Sequence, residues 1–248
     1  MSFRFRFLKR FLANKVKTYL ENSGYKVDYK NPLGVVPNSS FDFRQMFHKV
    51  TSYSQQGEDL VLDRILCRKL NINLNTYKGL YVDAGAYHPI SHSTTYLLYK
   101  RGWEGVCVDI SQKSCDIIKK VRPRDHVVNA ATSDIDGVVY FKDNNSISLI
   151  HESTKQQVDG YKPIRSFRLT TILNSLGINR QIDYLNIDTE GAEIQTLKGL
   201  DFKRFYPTII SVEIHADDIF EALKTEVAEF LFQQDYKCVG CNVITYFL

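Results

Sequence analysis

The sequence contains no apolar run long enough to cross a membrane. Its longest uninterrupted apolar runs are about four to six residues, whereas a membrane-spanning helix needs about 18 or more. The first residues also lack the continuous apolar segment and the small-residue cleavage site of a secretory signal. We therefore expect neither a membrane-spanning helix nor a secretory leader.

Cysteine is scarce and irregularly spaced, which excludes a disulfide framework. There are five cysteines, an odd number. Cys238-Val-Gly-Cys241 has no second cysteine pair and no nearby histidine that would complete a zinc site. This use of cysteine predicts a reducing, cytoplasmic environment.

Hydrophobic residues make up 44% and charged residues 24% of the 248 residues. These are ordinary values for a globular protein, and they exclude a wholly disordered chain, a collagen or a coiled coil. A chain of this length buries a large core without disulfides or metal.

The positive charge is concentrated in the first 20 residues. This segment holds six basic side chains and no acidic one, whereas the remainder holds 26 basic and 28 acidic residues. A nearly neutral body argues against a nucleic-acid partner, which would require a basic surface stripe. Apolar residues recur at helical spacing between the cations. The segment is therefore interpreted either as a peripheral helix on the inner face of a membrane or as a helix packed on the domain or on a second subunit of a homodimer.

Residues 1–52 are predicted to be an N-terminal extension, with a turn-rich, irregular stretch from residue 22 onward, and residues 53–248 a single α/β domain. Predicted strands are 79–84, 105–109, 126–131, 137–142, 182–188, 208–214, 236–240 and 243–247. Predicted helices are 57–70, 92–101, 112–121, 170–176, 191–199 and 217–233. This alternation favours a parallel sheet. The connection between the last two predicted strands is too short for a parallel pair, so these strands are expected to be antiparallel.

No G-x-G-x-x-G pyrophosphate motif is present. Acidic residues nevertheless end four predicted strands, at Asp83, Asp109, Asp188 and Glu213. Ligands of open α/β sheets bind at this carboxyl edge. The Asp109 carboxylate is placed to accept hydrogen bonds from the two ribose hydroxyls of a nucleoside. A nucleoside without a pyrophosphate cradle favours S-adenosylmethionine over NAD.

Four segments resemble the FkbM family of S-adenosylmethionine-dependent methyltransferases. They are residues 53–62 (YSQQGEDLVL), 81–109 (YVDAGAYHPISHSTTYLLYKRGWEGVCVD), 119–134 (KKVRPRDHVVNAATSD) and 184–199 (YLNIDTEGAEIQTLKG). The resemblance implies a Rossmann-like class I methyltransferase fold, with a mostly parallel seven-stranded sheet and an antiparallel C-terminal strand. It also implies S-adenosylmethionine as the cofactor.

The resemblance places Asp83 to Tyr87 beside the methionine of the cofactor, Asp109 at its ribose and Ser133 near its adenine. The cofactor-binding residues predicted in this way are Ser54, Gln55, Glu58, Asp83, Gly85, Ala86, Tyr87, Asp109, Ile110, Ala131, Ser133 and Asp188.

Methyl transfer to a hydroxyl needs a base or a metal, because an alcohol is a poor nucleophile. The candidate catalytic residues are Asp188, His215, His88 and Glu190. Asp188 and Glu213 also have the ligand chemistry for Mg²⁺ or Mn²⁺. The sequence leaves base and metal as alternatives, and it leaves open whether Asp188 only caps the following helix. Glu193 is expected to support the first turn of that helix.

The predicted function is O-methylation of a sugar hydroxyl, in a nucleotide-linked sugar or a surface glycan such as a capsular polysaccharide. The polar segment 143–169 is interpreted as a lid over this small-molecule or glycan acceptor. The alternatives are an NAD-dependent oxidoreductase and a non-catalytic adaptor in glycan assembly.

Deleting residues 1–20 is expected to leave a folded domain that still binds the cofactor, because the family resemblance begins only near Tyr53. S-adenosylhomocysteine at a hundredfold excess over its Kd should stabilise the truncated protein by about 2.7 kcal/mol. Thermal melting with and without S-adenosylhomocysteine, alongside the full chain, tests this. Failure of the truncated protein to fold would make the basic segment an integral element.

Overall fold

The computed structural model describes residues 25–27, 35–37, 51–74, 76–144, 147–151 and 162–248. The predicted amphipathic segment 1–20 lies outside the described residues. No helix within the described ranges is long and apolar enough to span a membrane.

The chain divides into two compact units, Met1–Thr51 and Ser52–Leu248. In the first unit, strands β1 (Tyr25–Val27) and β2 (Val35–Pro37) pair antiparallel, with Lys26 opposite Val36. The stretch that was predicted to be irregular thus contains a two-stranded ribbon. The interpretation of residues 1–52 as an extension stays a prediction.

The second unit is built on one large and one small sheet. Its strands are β3 (Leu80–Ala84), β4 (Glu104–Asp109), β5 (His126–Asn129), β6 (Ala131–Thr132), β7 (Gly137–Asn144), β8 (Ile147–His151), β9 (Lys162–Phe167), β10 (Tyr184–Ile187), β11 (Ile209–Glu213), β12 (Gly240–Asn242) and β13 (Thr245–Phe247). Its helices are α1 (Glu58–Arg64, continued by a π-helical turn, Ile65–Lys69), α2 (Tyr96–Lys100), α3 (Gln112–Val121), α4 (Leu169–Ser175), α5 (Glu193–Lys198), α6 (Phe202–Phe205), α7 (Ile219–Ala222) and α8 (Glu226–Gln233).

The large sheet has seven strands in the order β12-β13-β11-β10-β3-β4-β5. The five strands from β11 to β5 are parallel, and β13 runs antiparallel to both of its neighbours. This order confirms the predicted α/β fold with a mostly parallel seven-stranded sheet and an antiparallel strand near the C-terminus. Because the strand order reverses between β3 and β10, the connections diverge there and leave room for a ligand.

Both faces of the large sheet are covered, as the apolar strands require. Alternate residues point to opposite faces, so Val82 and Leu185 join a core with α4 to α8, while Tyr81 and Tyr184 join a second core with α1 to α3. All five residues of β3 are buried. The sheet is therefore the rigid layer that presents its carboxyl edge to the site.

The small sheet has the order β6-β9-β7-β8 and divides a strand that was predicted as one. The strand predicted at 126–131 is in fact β5 and β6, and β6 leaves the large sheet to pair with β9. The strand predicted at 137–142 is confirmed as β7, which continues to Asn144 and pairs with β8 and β9. Most of the described part of the predicted lid, 143–169, is therefore sheet. Its remaining residues, 145–146 and 152–161, lie outside the described residues.

Helix ends differ from the predictions where side chains cap the backbone. The helix predicted at 217–233 divides into α7 and α8, because the Thr225 hydroxyl accepts the Ala228 N–H and starts a new helix. Asp201 starts the unpredicted helix α6 in the same way. The strand predicted at 236–240 begins only at Gly240, since the buried Tyr236 donates its hydroxyl to the Pro207 carbonyl.

A buried arginine at the end of α3 organises the segment between β3 and α2. The Arg122 side chain is 1% exposed. Its Nε donates to the Pro89 carbonyl at 2.7 Å, and its terminal nitrogens donate to Ser93 Oγ and Thr95 Oγ1 at 2.5 and 3.0 Å. The Asp125 carboxylate lies 3.6 Å away and compensates the charge. These contacts explain why the helix predicted at 92–101 begins only at Tyr96.

Replacing Arg122 by Met is expected to lower the free energy of unfolding by about 3–5 kcal/mol, because it leaves the Asp125 carboxylate buried without its partner. Urea denaturation measures the change. Arg124→Met is the control, since Arg124 is exposed and stacks over Tyr99 at 3.9 Å. Equal losses in the two variants would contradict a special role for the buried guanidinium.

Candidate active site

A glycine turn joins the carboxyl ends of three strands. Gly85 has φ +88°, and a Cβ atom there would lie 1.6 Å from the Asp188 carbonyl oxygen. Its N–H donates to the Val108 carbonyl at 2.9 Å. The turn after β3 thus touches β4 and lies directly against the end of β10. The space beside Gly85 is therefore filled by protein backbone.

Asp83 lies beneath this turn rather than in the wall of a pocket. It is 2% exposed, and its two carboxylate oxygens accept from Thr95 Oγ1 at 2.5 Å and Asn186 Nδ2 at 2.9 Å. The Asp83 carboxylate therefore ties α2 and β10 to β3. This differs from the expectation that Asp83 itself contacts the methionine of the cofactor.

Asp109 connects the glycine turn to the next helix. Its carboxylate accepts the Tyr87 N–H at 2.8 Å and the Ser111 N–H at 2.7 Å. Burial raises the pKa of Asp109, although these two hydrogen bonds oppose the shift. Each oxygen retains a lone pair for a further donor. The neighbouring Tyr87 is 63% exposed.

The residues predicted near the adenine are mostly buried. Ala131 is 1% and Ser133 2% exposed. The Ser133 N–H donates to the Phe167 carbonyl, and the Ile110 carbonyl accepts from Asn129 Nδ2. Ala131 and Ser133 therefore hold β6 against β9 rather than line an open surface.

Asp188 and Glu213 form a carboxyl pair at the ends of β10 and β11. The pKa of Asp188 is raised to about 8 by burial of its carboxyl group, by a hydrogen bond to Glu213 and by repulsion from the Glu213 charge. The Asp188 residue as a whole is nevertheless exposed. The pair therefore holds a proton near neutral pH, in a position where a ligand can reach it.

The helix-cap alternative for Asp188 is not supported. Glu193 accepts the Thr189 and Gly191 N–H groups at 3.1 and 3.0 Å. The expectation that Glu193 supports the start of α5 is confirmed. Asp188 forms no side-chain cap of that helix, whose N-cap residue is Ala192.

The two candidate histidines differ in availability. His88 Nδ1 accepts from the Ile90 and Ser91 N–H groups at 3.2 and 3.0 Å. This nitrogen is occupied by the turn, which favours a structural role for His88. His215 is exposed, with Nε2 3.6 Å from a Glu213 oxygen.

The carboxyl edge also offers a set of metal-binding donors. Ligand atoms of Glu190, Glu213 and His215 lie within 4.8 Å of one another. Burial and repulsion from Asp188 raise the pKa of Glu190. Of the two predicted ligands, only Glu213 belongs to this set. The predicted Mg²⁺ or Mn²⁺ site at Asp188 and Glu213 stays a prediction.

The S-Q-x-x-E-D segment, residues 54–59 (SQQGED), leads into the first turn of α1 and forms a hydrogen-bonded network. Asp59 accepts from Ser54 Oγ at 2.9 Å and from the Tyr53 N–H at 2.8 Å, and Glu58 accepts the Gln56 N–H at 2.9 Å. Sequence reasoning included Ser54 and Glu58 among the cofactor residues, but their hydrogen bonds hold the segment itself together.

An open cleft lies between this segment and the strand ends. Its lining includes Gln55, Gln56, Thr94, Asp188, Glu213 and Thr245. Sequence reasoning missed Gln56 and the turn before β13, because they are far apart along the chain.

Residues 83–238 match the family described as "Methyltransferase FkbM domain". This range covers more than half of the chain. The chain belongs to the FkbM methyltransferase family. The match begins at Asp83, so the S-Q-x-x-E-D segment lies outside it. No curated protein matches the chain.

Two solved structures resemble the FkbM chain distantly. A TehB-like SAM-dependent methyltransferase from Corynebacterium glutamicum is 12% identical, with a TM-score of 0.37 over 76% of each chain. A SAM-dependent methyltransferase from Agrobacterium tumefaciens is 10% identical, with a TM-score of 0.35 over 71% of this chain and 50% of its own. The family assignment rests on the matched residues, not on these likenesses.

Membership of this family implies S-adenosylmethionine as the cofactor. The residues at the carboxyl edge fit it, because the Asp109 carboxylate keeps a free lone pair on each oxygen beside the Gly85 turn. Such a carboxylate suits the two hydroxyls of a ribose, and the exposed Tyr87 adjoins it.

Asp109→Asn is expected to weaken binding of S-adenosylhomocysteine about tenfold or more, because a hydrogen bond to a charged acceptor contributes roughly 1.5–3 kcal/mol. Isothermal titration calorimetry measures the Kd. Asp116→Asn, an exposed position on α3, is the matched control. An unchanged Kd for Asp109→Asn would remove Asp109 from the ribose site.

Proposed function

We propose that this FkbM protein is an S-adenosylmethionine-dependent O-methyltransferase that methylates a hydroxyl group of a sugar. We further propose that Asp188 accepts the proton of that hydroxyl. The observation that carries the proposal is the Asp188–Glu213 carboxyl pair, which lies in the wall of the cleft with the pKa of Asp188 raised to about 8.

A general base works best when its pKa lies near the working pH. An ordinary aspartate is too weak a base for a hydroxyl, whereas burial and the neighbouring Glu213 charge make Asp188 a stronger one. Perturbed carboxyl groups of this kind concentrate at functional sites.

The bound cofactor supplies an electrophilic methyl group on a sulfonium. When the acceptor hydroxyl takes this methyl group, S-adenosylhomocysteine would be the leaving group, and an Asp188 carboxylate oxygen would accept the hydroxyl proton. The cleft walls would position the acceptor hydroxyl, and such positioning contributes a large part of the rate. The proton then leaves the Asp188–Glu213 pair to solvent through the open side of the cleft.

A metal-assisted reaction is the second candidate, and the approach of Glu190, Glu213 and His215 to within 4.8 Å favours it. In that case a divalent cation would lower the pKa of the acceptor hydroxyl. Activity after EDTA treatment, with and without added Mn²⁺, separates the two mechanisms.

The family assignment leaves no support for an NAD-dependent oxidoreductase. A non-catalytic adaptor would bind S-adenosylhomocysteine but transfer no methyl group. Incubation with radiolabelled S-adenosylmethionine and glycan fractions tests this difference directly.

Asp188→Asn is expected to lower kcat and kcat/KM together by about 10²–10⁴-fold, with the cofactor Kd nearly unchanged, because a base acts only in the transition state. The wild-type kcat/KM should rise with pH and level off above about 8, since only the ionised Asp188 accepts a proton. Steady-state kinetics across pH 6–10 measure both effects.

Glu213→Gln sharpens this test. Removing the Glu213 charge lowers the pKa of Asp188, so the rise in kcat/KM should move to lower pH. Asp217→Asn, which changes an exposed carboxylate outside the pair, should leave the profile where it is. Full activity of Asp188→Asn would assign the proton transfer to another residue.

A further inference from the structure

The cleft beside Asp188 combines carboxyl groups with uncharged hydrogen-bonding side chains. Glu58, Asp188 and Glu213 contribute the carboxyl groups. Gln55 and Gln56 contribute amides, and the described lining includes no lysine or arginine. The cleft therefore carries negative charge together with neutral donors and acceptors.

The two glutamines are held in place by the backbone around them. The Asp59 carboxylate fixes the chain before Gln55 through Tyr53 and Ser54. The Gln56 N–H donates to Glu58, and the Gln56 carbonyl accepts from Asn242 Nδ2 at 2.7 Å. With the backbone fixed on both sides, the exposed Gln55 and Gln56 form a preorganised wall, which lowers the entropy cost of binding a ligand.

Aromatic rings adjoin the cleft at His92. Tyr87 is 63% exposed, and its ring contacts that of His92 edge-on at 6.1 Å between centroids. His92 and Thr94 line the cleft. Amides, a hydroxyl and aromatic rings are the groups that orient an uncharged, hydroxyl-rich ligand.

Negative charge in the cleft selects against anionic ligands. A phosphate or carboxylate next to Asp188 and Glu213 would place like charges together, and the described lining holds no lysine or arginine to compensate them. Like-charge contacts of this kind suppress binding of the wrong partner. An uncharged hydroxyl avoids this repulsion and donates a hydrogen bond to either carboxylate.

We propose that the cleft binds an uncharged glycoside as the methyl acceptor, that Gln55 and Gln56 hold the sugar ring by their amides, and that sugar phosphates and uronic acids are excluded. The proposal rests on the proposed O-methyltransferase function and adds the charge class of its substrate. It transfers Gln55 from the predicted cofactor residues to the acceptor site, and it favours a glycan over a nucleotide-linked sugar as the acceptor.

Saturation-transfer NMR on the full chain, saturated with S-adenosylhomocysteine, tests the proposal. The probes are the methyl glycosides of glucose, mannose and galactose, each compared with the 1-phosphate and the uronic acid of the same sugar. We expect a signal from at least one glycoside and a signal at least about tenfold weaker from its charged counterparts.

Two variants test the cleft itself. Gln55→Lys should bring the signal of the sugar phosphate up to or above that of the glycoside, since it places a cation on the wall. Gln56→Leu should weaken the glycoside signal. Gln233→Lys, an exposed change at the end of α8, is the control and should alter neither signal.

Sugar phosphates that bind as well as glycosides to the wild type would overturn the proposal. The absence of any glycoside signal would also overturn it, as would signals that do not change in either glutamine variant. The S-adenosylhomocysteine Kd and methyl transfer to other hydroxyl compounds are measured in parallel. If the protein binds the cofactor and methylates other hydroxyl compounds but no glycoside, the proposed function stands and the glycoside acceptor is wrong. If it methylates no acceptor at all, the proposed function itself is wrong.

Discussion

The contact between the Gly85 turn and the Asp188 carbonyl oxygen is the constraint on which the site depends. A Cβ at position 85 would lie 1.6 Å from that oxygen, so only glycine permits β3 and β10 to end side by side. The strand order reverses at this pair of strands. Asp109, where cofactor binding was predicted, and Asp188 in the lining of the cleft therefore flank one backbone contact.

Electrostatics at this edge follow from the same geometry. Parallel strands that end together bring Asp83, Asp188 and Glu213 to one side of the sheet, and buried like charges oppose ionisation. Asp83 is compensated by Thr95 and Asn186. Asp188 has a second carboxyl group as its neighbour, so its pKa rises to about 8. The Asp83 carboxylate stabilises the fold, while the Asp188 carboxylate is left available for proton transfer.

The sequence predicts what depends on local pattern. Helix α3 was predicted with its observed bounds, Gln112–Val121, and its cap is local, since the Ser111 hydroxyl accepts the Ser114 N–H. The acidic strand ends were predicted because parallel strands share one carboxyl edge. The late start of α2 was not predicted, because it depends on hydrogen bonds from Arg122 to Ser93 and Thr95, which lie 29 and 27 residues away along the chain. The Asp188–Glu213 hydrogen bond and the small sheet likewise depend on contacts between distant segments, which periodicity does not reveal.

The hydrogen bond from Asn242 to the Gln56 carbonyl joins residues 186 positions apart. The glycine turn and Asp109, by contrast, lie within one β3-to-β4 segment of the chain. Contacts of long sequence separation form late, because a long loop must be closed before they contribute. The wall of the cleft is thus completed only when both ends of the domain have come together. We therefore expect a folding chain to form the Asp109 region before it forms the wall of the cleft.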